Sequence, residues 1–324
     1  MEPSADTVEI ITCIFLILVS LIGNTLLIYS TRRCSSSRGL QTSFVLIFSL
    51  GFDHLIKNLV VNVMKVAYSS GGRLDSAGCK VLRFTEVLTT TLSIWFMLYL
   101  ALLYCHKLDR ITHPLNETGN LNHRKNHLRV TFLLWTAGII VCIPILAYSK
   151  QSESLSVGND TLVQFTSVLY ENCKIDIENV QLDYYYEKIF LICIDLLPLV
   201  ISVFICFHIS FLLLEQKKVT YGDIWIGEDP SEVAILRGAK LGISLVFLIT
   251  TLWISHFILV CFLKNLEIFY FVPAVLTVLS SGFSAISPYL LMLIHYKVKL
   301  EFFSCSKKGK AIPQSSNIIV SPYS

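Results

Sequence analysis

The sequence predicts an all-α membrane protein, a seven-transmembrane helix bundle with its amino terminus outside and its carboxyl terminus cytoplasmic. Three observations predict it. Seven long apolar runs fill most of the 324 residues, each with roughly the 20 residues a helix needs to cross a ~30 Å hydrocarbon core. Hydrophobic residues make up 54% of the chain and charged residues 15%, far from a soluble average in which about a quarter are charged. Basic residues are concentrated in alternate connections between the runs.

The runs cover residues 8–29, 40–64, 81–105, 130–148, 189–214, 241–263 and 268–294. The first is too long for a signal-peptide core of about 7–15 residues and follows acidic Glu2, Asp6 and Glu9, so it reads as an uncleaved span. Arg32, Arg33 and Arg38 follow it, and Lys107, Arg110, Arg124, Lys125 and Arg129 follow the third run. Lys217, Lys218, Arg237 and Lys240 follow the fifth, and Lys297, Lys299, Lys307, Lys308 and Lys310 follow the seventh. The other connections hold only Arg73 and Lys80, then Lys150, Lys174 and Lys188, then Lys264. Because Lys and Arg stay on the cytoplasmic side, this alternation orients every span. With no internal repeat, residues 1–324 form a single heptahelical domain with a short cytoplasmic tail, 295–324.

Most of the ten cysteines read as small apolar residues of helices, as at Cys13, Cys142, Cys193, Cys206 and Cys261. On the predicted outer side only Cys79 and Cys173 remain, and the outside is oxidising. A bridge between them would pin the second outer loop across the mouth of the bundle. Cys305, beside Phe302, Phe303 and a lysine cluster, is a palmitoylation candidate or a free thiol. Asn159-Asp160-Thr161 is a glycosylation sequon in the outer loop; Asn116-Glu117-Thr118 is also a sequon, but on the cytoplasmic side.

An ordered set of landmarks then becomes visible: Gly23-Asn24 in the first span, Asp53 in the second, Cys79 and Ser93 in the third, Trp135 in the fourth, Pro198 in the fifth, Trp253 in the sixth and Pro288 in the seventh. The chain resembles the rhodopsin-like G-protein-coupled receptors across the whole bundle. It departs from them where the third span reads Leu103-Tyr104-Cys105-His106-Lys107 instead of ending in Asp-Arg-Tyr. The sixth lacks a proline two residues after Trp253, and the seventh reads Ser287-Pro288-Tyr289-Leu290-Leu291 instead of Asn-Pro-x-x-Tyr. These departures look like the vomeronasal type 1 receptors and their fish relatives, the class A-related olfactory receptors. Bitter taste receptors are the nearest rival, on His113-Pro114-Leu115.

Charged side chains inside a bilayer are costly and invite a functional question. Asp53 and Lys57 stand four apart, which reads either as a local ion pair or, through the resemblance, as Asp53 and Ser93 forming a sodium site, the ion being an allosteric modulator. Glu86 lies seven residues after Cys79, where amine receptors of the superfamily hold the acid that grips the ligand's ammonium; Arg83, three residues earlier, would neutralise it instead. On the first reading, Glu86→Gln abolishes responses to cationic ligands. Asp195 and His256 fall at comparable depth, His256 being either a structural side chain or part of the same cavity. Phe190, Phe257 and Tyr270 would supply apolar walls, the usual composition of a small-molecule pocket.

By resemblance, a ligand from outside shifts a two-state bundle. The sixth span then swings outward to admit a G protein against Tyr104, His106, Lys107, Lys217, Lys218, Arg237 and Lys240, bases that anionic lipid also attracts. The implied function is a chemosensory receptor in the plasma membrane of sensory neurons. Its expected partners are a small odorant or pheromone, an inhibitory-class heterotrimeric G protein and membrane lipid, with no nucleic acid and no metal besides sodium. A seven-span transporter is disfavoured by the lack of repeated halves, and a channel by the lack of a filter or charged ring. An opsin is disfavoured because the seventh span has no lysine. Hydrolytic signatures are missing, so no enzyme and no catalytic residue is expected.

Overall fold

An α-helix satisfies its own backbone in hydrocarbon, and in a computed structural model seven helices of this chain are long and apolar enough to cross a membrane. The structure describes residues 5–34, 41–70, 74–112, 123–151, 173–175, 191–222, 230–261 and 272–308. The first span lies in α1 (Ala5–Cys34). The second is α2 (Gln41–Ile56), a π-helical turn (Lys57–Asn62) and α3 (Val63–Ser69). The third to seventh lie in α4 (Ser76–Thr112), α5 (His123–Tyr148), α6 (Leu191–Gly222), α7 (Pro230–Cys261) and α8 (Val272–Lys308). Strands β1 (Ser149–Gln151) and β2 (Cys173–Ile175) pair antiparallel, Gln151 opposite Cys173, and both touch α4.

Helices outrun the apolar runs. The third continues past residue 105 to Thr112, and the seventh past 294 to Lys308, so the expected tail begins as helix. Hydropathy marks where a helix leaves lipid; its end is set by backbone and capping chemistry. The second span departs most, because the π turn interrupts what reads as one α-helix. A π turn inserts a residue into the helical period and rotates the next residues to a new direction. It buries Lys57, Asn58 and Asn62, and Lys65 is buried after them.

Polarity is inverted relative to a soluble protein. Phe207 and Phe247 leave 70% and 71% of their surface open, whereas Asp53, His54, Asn58, Asn62, Thr89 and Ser287 are buried. Apolar surface on that scale calls for an apolar solvent. Helix α4 is the axis of the bundle, touching α2, α5, α6 and α7. Its Leu92, Ile94, Phe96, Met97, Leu100 and Leu108 are buried in the main core.

Two prolines decide how the spans are tied. Pro198 has no N–H for the carbonyl of Ile194, one turn earlier, and Trp95 Nε1 of α4 donates to that carbonyl at 3.2 Å. Pro288 frees the carbonyl of Ser284 in the same way, and Asn24 Nδ2 of α1 donates to it at 3.1 Å. Close approach of α1 and α8 makes the second bond possible. A Cβ on Gly23 would stand 2.7 Å from Tyr289 Cε2 and 2.9 Å from Pro288 Cγ, and Tyr289 donates its hydroxyl to Val19 O at 2.8 Å.

Asn24→Ala should lower stability by about 1 kcal/mol, because Ser284 O then keeps only the longer 3.5 Å bond from Ser20 Oγ. In a Pro288→Ala background, where residue 288 can donate to Ser284 O, the same change should cost markedly less. Thermal unfolding of the four purified proteins in detergent measures this cycle; equal costs in both backgrounds would contradict the carbonyl argument.

Candidate functional site

Spans two, three, five, six and seven enclose a cavity of about 200 Å³. Arg83, Glu86, Asp195 and His256, the polar residues expected from the sequence, all line it, together with Lys57, Thr90, Ser93 and Ser280. Its apolar walls come from Val87, Ile94, Ile249, Leu252, Trp253, Leu279 and Phe283. The result has the composition of a small-molecule site, a few polar anchors in an apolar shell.

Helix period explains the third-span contribution, since residues 83, 86, 87, 90, 93 and 94 share one face of α4 at spacings of three and four. Glu86 is held by two bases: Arg83 Nη1 lies 3.4 Å from Oε2 and Lys65 Nζ 3.8 Å from Oε1. The neutralising partner Arg83 is therefore in place, and Lys65, which the sequence did not single out, joins it. Asp195 accepts a hydrogen bond from Thr91 Oγ1 at 2.7 Å, which fastens α6 to α4. His256 keeps its buried Nε2 without a hydrogen-bond partner among the described residues.

The local Asp53–Lys57 ion pair is corrected. Lys57 opens the π turn and donates instead to Thr90 Oγ1 of α4 at 3.0 Å. Asp53 takes the hydroxyl of Ser93 on Oδ2 at 2.8 Å, so Asp53 and Ser93 do meet. Asp53 Oδ1 is buried with no hydrogen-bond partner among the described residues, an oxygen available to a hard cation. Ser287 is turned to His54 Nδ1 at 3.1 Å and adds nothing to that pair.

Phe257 is corrected as well. It stacks on Trp253 with centroids 5.6 Å apart and planes 1° from parallel, but it does not line the cavity and is 40% exposed. One position past His256, it is rotated by about 100° along the helix, toward the lipid. Phe190, Tyr270 and Asn159 lie outside the described residues.

Beside the cavity, at the level of the lining residues Ser280, Phe283 and Ser284, a polar ladder joins the second and seventh spans. Asn62 Nδ2 donates to Asn58 Oδ1 at 2.8 Å, Asn58 Nδ2 to Ser284 Oγ at 2.7 Å, and Ser281 Oγ to Asn62 Oδ1 at 3.0 Å. Asn58 and Asn62 are both in the π turn. Sequence reading missed them, although four-residue spacing of Asn in an apolar run is the available signal.

At the far end of α4, Tyr104 is buried against α7. A Cβ on Gly238 would collide with Tyr104 Cε1, and one on Gly242 would stand 3.5 Å from Cδ2. The ring thus fills a notch made by two glycines, so Tyr104 is packed rather than lining an open cleft. Lys107 Nζ sits 6.0 Å from the centre of the same ring, while His106 and Lys240 are exposed. Lys217, Lys218, Arg237 and Cys305 lie within helices, their side chains outside the described set.

The family model for the 7 transmembrane receptor (rhodopsin family) matches residues 23–289, nearly the whole bundle. The chain belongs to the rhodopsin family of seven-transmembrane receptors. It is a family of receptors, not of enzymes. The receptor is also 23% identical over 202 residues to the zebrafish (Danio rerio) protein named Olfactory receptor class A-like protein 4. That match covers 61% of this chain and 59% of the zebrafish protein. The resemblance read from Gly23-Asn24, Asp53, Ser93, Trp135, Trp253 and Pro288 is in this way shown at the level of the family.

Glu86→Gln should leave Lys65 and Arg83 facing a neutral amide in a buried site, at a cost of about 3–5 kcal/mol. A fall in the unfolding midpoint of the purified receptor checks this. Restoration of the midpoint by Lys65→Met in the Glu86→Gln background would assign the loss to the stranded ammonium.

Proposed function

We propose that this chain is a chemosensory receptor of the vomeronasal type 1 kind, which takes a small extracellular molecule into the helix cavity and activates an inhibitory-class heterotrimeric G protein. The observation that carries the reading is the cavity: charged and polar groups set among apolar walls, inside a rhodopsin-family bundle. The distant relation to a fish protein named as an olfactory receptor supports the chemosensory part. The plasma membrane of sensory neurons is the setting this implies. A bitter-taste receptor would share the bundle but differ in ligands.

In this reading the amino terminus, the hairpin and Asn159 face outward, and the carboxyl-terminal end of α4 faces the cytoplasm. The basic residues that flank alternate spans support that orientation. A Cys79–Cys173 bridge would hold the hairpin over the bundle. One observation supports it: β2, which opens on Cys173, touches α4, whose first turn includes Cys79. Cys305 belongs to this picture as a palmitoylation site beside the membrane. Asp53 Oδ1 and Ser93 Oγ would hold a sodium ion, whose charge stabilises the inactive arrangement.

Activation requires the ligand to bind the active arrangement more tightly than the inactive one. Tyr104 in its glycine notch is the contact that must open when the start of α7 moves away from the end of α4. The bases at Lys107, Lys217, Lys218, Arg237 and Lys240, with His106, would then meet the G protein.

Nucleotide exchange on an inhibitory-class G protein, in membranes holding surface-labelled receptor, tests the function across a panel of amines, carboxylates, steroids and bile-acid-like molecules. A saturable, receptor-dependent response is expected; substrate flux without exchange would sink the reading in favour of a transporter. Replacing sodium by choline in that assay should raise exchange in wild type and not in Asp53→Asn. Gly238→Ala should raise basal exchange several-fold per surface receptor, because the new methyl displaces Tyr104; unchanged basal exchange would remove this latch. A glycan on Asn159 and none on Asn116 is the expected outcome of glycosidase mapping.

A further inference from the structure

We propose that Lys57 is the ligand's anchor and that the ligand is an amphipathic carboxylate, a small apolar body bearing one oxyanion. This deepens the receptor reading, on which it rests, by giving the site its ligand chemistry. The second span contributes no ligand anchor in the sequence reading, which considers Lys57 only as an ion-pair partner of Asp53. The π turn places it elsewhere.

Lys57 is 5% exposed and yet lines the cavity. Its hydrogen bond goes to the neutral hydroxyl of Thr90, and among the described residues no carboxylate stands within the 4.0 Å of an ion pair to it. An ammonium carries three donors, so two remain to be satisfied. The two other cations at the site, Arg83 and Lys65, are both held on Glu86. Asp195 accepts from Thr91 and Asp53 from Ser93, and with Glu86 these carboxylates act on Lys57 only at longer range. At contact distance the site therefore presents one ammonium whose anionic partner is missing.

A buried ammonium with no counter-charge in contact is expensive inside a bilayer. A carboxylate brought to Lys57 forms the short, charge-assisted hydrogen bonds that the protein itself does not supply. Ile94, Leu252, Trp253 and Phe283 give the apolar body its walls. His256, whose Nε2 is buried and without a hydrogen-bond partner among the described residues, lines the same cavity and offers a second polar point for a ligand hydroxyl or carbonyl.

The test uses one apolar body with three head groups: 4-phenylbutanoate, 4-phenylbutan-1-ol and 4-phenylbutan-1-amine, with decanoate, decan-1-ol and decan-1-amine as an aliphatic set. Each is titrated to millimolar concentration against the purified full-length receptor, and the rise in unfolding midpoint reads binding. Carboxylates should bind best in at least one set, and Lys57→Gln should weaken them by roughly thirtyfold or more, the effect of stranding one member of a buried charge pair. Lys57→Arg should keep the preference for carboxylate. Stronger binding of the amines, equal binding of the three head groups, binding of none, or a carboxylate preference retained in Lys57→Gln would each overturn the proposal. If Lys57→Gln fails to fold, the wild-type ranking and Lys57→Arg still decide it. Nucleotide exchange on the same samples separates this proposal from the one it rests on. Carboxylate binding without exchange leaves the anchor standing and sinks the activation reading, whereas exchange driven by amines alone sinks the anchor and leaves the receptor.

Discussion

Two of the carbonyls released by prolines inside this bundle find their donor on another helix, where the surrounding hydrocarbon would offer none. Pro288 and Pro198 release Ser284 O and Ile194 O, and Asn24 and Trp95 answer them from α1 and α4. Each bond fixes both the rotation and the depth of two spans relative to each other. Asn24 can reach Ser284 only because Gly23 lets α1 settle against Pro288 and Tyr289. Ser284 then uses its hydroxyl to hold Asn58, which brings the second span into the same arrangement. The seventh span is thus a polar hinge-pin for the first and second, while α4 plays the corresponding part for the fifth through Trp95 and Thr91.

The functional cavity inherits its charge from that arrangement. Once the second span is bound to the seventh through Asn58 and Asn62, the π turn directs Lys57 and Lys65 toward α4 instead of toward lipid. Lys65 meets Glu86, which already has Arg83, and Lys57 meets only Thr90. The site consequently departs from the simple picture of an acid waiting for an ammonium. Glu86 is matched twice over from within the protein, so its charge is mostly internal bracing, and the unspent polarity lies one helix away.

Much of this is legible in the sequence, and the misses have one physical origin. Apolar runs locate all seven spans, since hydrocarbon thickness leaves little freedom in length. Landmarks such as Gly23, Asn24, Asp53, Ser93 and Pro288 stand out as a set, and the structure brings them into contact in the pairs Gly23–Pro288 and Asp53–Ser93. Asp195 and His256 fall at comparable depth by residue count, and they do share one cavity with Glu86 and Arg83. Rotation about a helix axis is less legible, because lipid-facing and pocket-facing apolar residues are chemically alike. Phe257, one residue from His256, falls on the wrong side for that reason. Lys57 is misplaced by the sequence because an α-helical period is assumed across residues 57–62. Hydropathy does not register a π turn, and the buried Asn58 and Asn62 that accompany it are the overlooked sign.

Helix α4 links the two ends of the molecule. Its upper half carries Arg83, Glu86, Thr90 and Ser93 on the cavity wall; its lower half carries Tyr104 in the notch of Gly238 and Gly242. Sixth-span residues likewise appear at both places, Ile249, Leu252, Trp253 and His256 above and Gly238 below. A ligand that wedges between α4 and α7 in the cavity therefore acts on the same pair of helices whose lower contact is a single aromatic ring against two glycines. Ring-to-glycine packing is steep in distance and, among the described residues, has no hydrogen bond to stretch, so the lower contact opens or stays closed, with little between. A coupling free energy between two sites needs such a two-state element that both can bias. In the proposed reading the element is the α4–α7 seam, and the ligand's differential contact with Trp253 and His256 on one side and Thr90 on the other is what would bias it.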